Sequence, residues 1–130
     1  MQDFTKLQVW QKAHTFTINL YKISLTFPKE EKFGLTNQIR RASVSIESNL
    51  AEGAGRNSNK DFSHFLDIAQ GSPKGYRYAY AFEVKCQILI AKDLGYIENN
   101  KFKLLIDKIS EVSRMITSLN QKLRTKDYPC

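Results

Sequence analysis

Arginines, small polar residues and glycines are concentrated between Gly34 and Lys60, in GLTNQIRRASVSIESNLAEGAGRNSNK. Guanidinium groups can pair bidentately with carboxylates or meet phosphates. The stretch reads as one helix, a glycine elbow and the start of the next helix. A helix that serves only a core does not need its row of small polar groups, and the row fits no catalytic scheme. It reads as a surface that meets another molecule.

Other side chains with chemical potential are few. His14 lies beside buried positions of the first helix. His64 has Asp61 and Asp67 three residues away on either side, so all three share one helical face. A metal site needs further ligands, and the neighbouring sequence supplies none, so this is read as a solvated face. Cys86 sits in an apolar segment and reads as a small buried hydrophobe. Together with Cys130 it forms neither a disulfide framework nor a zinc site. Ser43, Ser45, Ser48 and Ser58 have no histidine at suitable sequence positions. Gly53 and Gly55 lack the lysine and preceding strand of a phosphate cradle, and read as a helix stop. No GxSxG, HExxH, Walker loop or dinucleotide fingerprint is present. The expectation is a protein that is not an enzyme and carries no cofactor or metal.

Four amphipathic segments must position these groups. Leu7, Trp10, Ala13, Thr17, Leu20, Ser24 and Phe27 recur every three or four residues, widened by Val9, Phe16 and Tyr21. Pro28 closes that helix. Leu35, Ile39, Ala42, Ile46 and Leu50 mark the second. Asn57 and Ser58 offer caps for the third, with Asp61 three residues beyond Ser58. Phe62, Phe65, Leu66 and Ala69 form its apolar face, and the spacing resumes at Phe82, Cys86, Leu89 and Ile90. The fourth opens at Asn99 or Asn100, with Phe102, Leu105, Ile106, Ile109, Val112, Ile116, Leu119 and Leu123 along one stripe. Tyr76, Tyr78, Tyr80, Phe82 and Val84 give the only strand-like alternation. Short connections between four such segments predict an all-α chain, an antiparallel up-down four-helix bundle in a single domain over 1–130.

Composition sets the outer bounds. The 130 residues are 42% hydrophobic and 25% charged, an ordinary globular balance. Twenty Lys and Arg against 13 Asp and Glu give a net charge of +7, which favours polyanionic partners. No apolar run approaches the roughly 20 residues that span a bilayer. The first residues lack a charged-then-apolar leader. A cytoplasmic protein without a membrane partner is expected.

Three stretches carry a resemblance: VWQKA (9–13), FPKEEKFGLTNQIRRASVSIESNLAEGAGRNSNKDFSHFL (27–66) and LIAKDLGYI (89–97). They resemble the four helix bundle protein family, whose founding members are encoded in intervening sequences inside bacterial 23S rRNA genes. The likeness runs from Phe4 to about Lys122. It implies a left-handed four-helix bundle and assembly as a homopentamer around a central channel. A more distant relative is the accessory variability determinant of diversity-generating retroelements, a basic pentamer that binds reverse transcriptase and nucleic acid. For the intervening-sequence proteins, binding to rRNA or its precursor is inferred from gene location. The family pattern falls on Trp10, Lys12, Pro28, Gly34, Gln38, Arg40, Arg41, Ser43, Ser45, Asn49, Glu52, Gly53, Arg56, Gly71, Glu83, Gly95 and Tyr96.

Arg41, Ser45, Ser48, Asn49 and Glu52 fall along one helical stripe. In one reading Arg41, Asn49 and Glu52, with Ser45 among them, serve an oligomer interface or the buried elbow, and this is preferred for them. In the other, cations meet phosphate; for Arg40, Arg56 and Lys60 both readings stand. Two functions follow. The leading one is a self-associating ring that binds RNA, rRNA or a ribonucleoprotein electrostatically. The alternative is a protein-interaction scaffold, or an accessory to a mobile-element enzyme, that touches no nucleic acid.

One segment departs from the family. Gly71-Ser72 is followed by PKGYRYAYA before Phe82-Glu83, an excess of about eight residues. Inserted into a continuous helix, these would rotate everything downstream by about 80°. A break or bulge near residues 72–80 is therefore expected, with the bundle register recovered near Phe82; the rival is a longer helix that protrudes beyond the normal third segment, with Pro73 in its first turn. Tyr76, Arg77, Tyr78 and Tyr80 mix aromatic rings with positive charge. They suit stacking on unpaired bases, with Arg77 contacting nucleic acid, packing on a neighbouring subunit, or pairing as a strand edge.

Overall fold

The computed structural model describes residues 3–71 and 80–127, the last two as backbone alone. Five helices follow in order: α1 (Gln8–Ser24), α2 (Leu35–Ala54), α3 (Asn59–Gln70), α4 (Tyr80–Asp93) and α5 (Asn99–Asp127). Short 3-10 turns at Phe4–Lys6 and Lys29–Glu31 precede α1 and α2. No strand occurs among the described residues, and Tyr80–Val84 is helical. Residues 72–79, with Tyr76, Arg77 and Tyr78, lie outside them, as does most of the expected break.

The helices start and stop for local reasons. Ser58 takes an extended conformation and its Oγ accepts the Asp61 amide at 3.1 Å, capping α3 as the sequence suggests. Gly71 ends α3 at φ 102°, and Gly95 follows α4 at φ 80°, both in the region that favours glycine. Gly53 does not act as a stop. It is buried inside α2, where its bare backbone lets Phe62 and Phe65 of α3 lie directly against it. Gly55 caps α2 with an ordinary negative φ rather than the expected left-handed one.

Side chains from all five helices meet in one core, including Phe16, Leu20, Ile39, Ile46, Leu50, Leu66, Ile88, Leu105, Ile109 and Ile116. Cross-helix bonds give the directions. His14 meets Glu47, Thr17 donates to the Ser43 carbonyl, and Arg40 reaches Ser24, so α1 and α2 run antiparallel. Ser63 pairs with Asn120 and Gln70 with Ser113, so α3 and α5 also oppose each other. α4 lies against α2 and α5, and α5 touches α1, α3 and α4.

The register of α4 differs from expectation. Ala81, Val84, Gln87, Ile88 and Ala91 face the core. Phe82, Leu89 and Ile90 are 52%, 46% and 49% exposed, and Cys86 is exposed with them rather than buried. The sequence reading placed the bulky residues inside. Instead Ala81 and Ala91 are fully buried beside Val84 and Ile88.

Candidate nucleic-acid and self-association surfaces

On α2, much of the polar row turns back on its own helix. The Ser45 hydroxyl donates to the Arg41 carbonyl at 2.8 Å, and the Asn49 amide donates to the Ser45 carbonyl at 2.7 Å. Such back-bonding satisfies the side chain locally and leaves less of it for a partner. Glu52 accepts from Arg56 at 2.6 Å, one turn away, and the Arg56 guanidinium lies 4.8 Å from the Phe65 ring. Arg56 therefore braces the elbow between α2 and α3. Ser48 stays exposed.

Arg40 serves the opposite end of α2. Its Nε donates to Ser24 Oγ at 2.8 Å, one Nη donates to the Tyr21 carbonyl at 3.2 Å, and the group stacks 4.7 Å from the Tyr21 ring. From Arg40 to the end of α2 at Ala54 the helix rises about 21 Å at 1.5 Å per residue, and Arg56 lies beyond that end. The two do not form one patch. Lys60 is exposed beside the elbow and makes no hydrogen bond or ion pair to a described residue. Arg77 lies outside the described residues.

Arg41 is exposed and also makes no such bond. It lines a groove of about 400 Å³ with Phe33, Gln38, Ser45, Tyr80 and Glu83, between α2 and the start of α4. Arg41 and Glu83 thus share one groove, although they stand 42 positions apart in sequence. The neighbouring face of α4 carries Phe82, Cys86, Leu89 and Ile90 outward. A helix that is apolar on both sides has a second covering surface to find.

Sequence reasoning missed a polar cluster between α3 and α5. Arg124 grips both oxygens of Asp67 at 2.9 and 2.8 Å, and Asn120 donates to Asp67 at 2.8 Å. Ser63 donates to the Asn120 carbonyl oxygen and accepts from Arg124 Nε at 3.2 Å. Asp67 therefore turns to α5 and does not share a solvated face with His64 and Asp61. Hydrophilic residues at helical spacing, at 63, 67 and 70 and again at 113, 117, 120 and 124, were the available signal. Among the described residues, no group of three or more His, Cys, Asp or Glu is placed to hold a metal ion.

Two titrating groups depart from ordinary behaviour. Burial and then the neighbouring Arg114 lower the pKa of Lys85. The hydrogen bond to Glu31 raises that of Tyr96, and burial and the charges of Glu31 and Glu30 add to the rise. No described helix is long and apolar enough to cross a membrane.

No curated protein matches the chain. The family description that does match is that of the 23S rRNA-intervening sequence proteins, over residues 5–118. That span takes in all of α1 to α4, the groove at Arg41, the outward face of α4 and most of α5, and the chain belongs to the 23S rRNA-intervening sequence protein family.

Proposed function

We propose that this chain is a non-enzymatic helical protein that assembles into a ring, five copies in the reading the family suggests, and binds RNA electrostatically. In this reading α1, α2, the α3–α4 pair and α5 are the four legs of an up-down bundle. The outward face of α4 carries the proposal. Its exposed apolar side chains lie opposite the buried line Val84, Ile88 and Ala91. Leaving such a row in water costs about 25 cal/mol per Å² of apolar surface, which a neighbouring copy would recover. A ring needs a heterologous contact, and the α4 face is covered by a different surface of the next copy. The charged groove of Arg41 and Glu83 lies beside it and would form part of the rim.

The net charge of +7 and the unpaired cations Arg41 and Lys60 support a polyanionic partner. The family's own description ties its members to 23S rRNA genes, which makes RNA the reading preferred here. Light scattering on the purified chain tests assembly. The expected mass is a multiple of the 15.0 kDa protomer. Leu89→Lys should return it to a protomer with unchanged helical circular dichroism. A native chain that stays a protomer at high concentration would refute the ring.

A further inference from the structure

Four exposed side chains from one short stretch line the groove of about 400 Å³ between α2 and the start of α4, within the range of small-molecule sites. Phe33 stands just before α2 and is 86% exposed. Asn37, Gln38 and Arg41 follow on the first two turns of α2, and all three are exposed. Their side chains make no hydrogen bond or ion pair to a described residue. An aromatic ring, two amides and a guanidinium are therefore offered to solvent together. Lys32 adds a second cation, its Nζ 5.4 Å from the Phe33 ring centroid. Glu83 borders the groove from α4.

These groups name a ligand class. An open aromatic face is a stacking platform. A primary amide sets donor and acceptor side by side, which suits the edge of a flat polar heterocycle. A guanidinium meets phosphate with paired donors. The Glu83 carboxylate only accepts, so it turns phosphate away and favours a hydroxyl or amine. A heterocycle joined to a phosphate through a hydroxyl-bearing sugar is a nucleotide. In a duplex its faces are already stacked and its edge is already paired, so an unpaired nucleotide is required. The groove stays open in the ring reading. Phe33, Asn37, Gln38 and Arg41 belong to α2 and the turn before it, not to the outward face of α4, and the rim of an interface is reached by solvent.

We infer that this groove holds one unpaired nucleotide of an RNA strand, its base stacked on Phe33 with its edge toward Asn37 and Gln38, and its phosphate on Arg41. The inference rests on the RNA-binding reading above and adds the part of the RNA that is recognised.

The test uses the full chain and a short single-stranded RNA with one central 2-aminopurine. Stacking should quench the 2-aminopurine fluorescence. Phe33→Ala should abolish the quenching and weaken single-strand affinity about tenfold, since base–aromatic stacking is of that size. Phe33→Tyr keeps the flat face and should retain both. Arg41→Gln should lower the slope of log affinity against log salt by about 0.7, the share of one single-strand phosphate. Affinity for a duplex of the same length should not move in Phe33→Ala. Light scattering checks the assembled mass of each variant. If Phe33→Ala alters that mass, Gln38→Ala decides the matter, with an expected loss of about fivefold in single-strand affinity. RNA binding without quenching, or with affinity that the deciding variant leaves unmoved, overturns the nucleotide site and leaves electrostatic binding intact. Quenching of the free 2-aminopurine ribonucleotide with none of the strand overturns the RNA strand as its source. No affinity for any RNA overturns both the site and the reading beneath it.

Discussion

A methyl group added at Gly53 would lie 2.9 Å from both Phe62 Cδ1 and Phe65 Cβ. Phe65 Cβ is fixed to the α3 backbone, so the helices themselves must separate. Gly→Ala inside a helix otherwise gains about 1 kcal/mol in propensity. Overpacking costs about 1–3 kcal/mol and should win. Gly53→Ala is expected to lower the urea midpoint of unfolding, and a rise would refute the close approach. At Tyr96 the argument concerns pH. Its hydroxyl donates to Glu31 at 3.0 Å, which keeps its proton on above the ordinary value of 10.0. A pKa raised by folding stabilises fully below the unfolded value, and the contribution is lost as pH rises through the folded value. Stability should therefore fall above pH 10, and fall less in Tyr96→Phe. Urea titrations at neutral and alkaline pH would show it. Some of this residue scale was legible beforehand: the Ser58 cap needs only its own next three residues. The partner of Asp67 is 57 positions away, and no local pattern announces Arg124.

Among the helices, α1, α2 and α5 follow their apolar stripes, because each has one oily face and one wet one. In α4 both faces are apolar, so periodicity alone could not choose between them. The bulky residues looked like the core, yet Ala81, Val84, Ile88 and Ala91 are the ones buried. A paired substitution reads the register directly. Ile88→Ala should cost about 2–5 kcal/mol by opening a cavity. Leu89→Ala should leave protomer stability within about 0.5 kcal/mol. Denaturant unfolding at concentrations that hold the chain as a protomer distinguishes them, and the reverse order would restore the expected register. The groove of Arg41 was half visible: Arg41 and Ser45 fall on one helical line, but Glu83 joins them only through tertiary packing.

The whole molecule adds the long-range term. An excess of seven positive charges favours encounter with a polyanion, and each phosphate neutralised releases counterions. With about six to ten phosphates contacted, RNA affinity should drop about 10²- to 10⁴-fold between 50 and 200 mM salt. A filter-binding titration against rRNA fragments measures this, and a flat salt profile would refute the electrostatic reading. Helical class was legible throughout, since no long alternating run survives outside the tyrosine stretch. The way α3 and α4 share α5 was not, because it depends on contacts between segments far apart in sequence. At 29 residues, about 43 Å, α5 backs both. It acts as a splint along a fractured bone: each fragment is held by its own grip on the rod. Severing the backbone between Gly71 and Tyr80 should therefore leave both fragments docked.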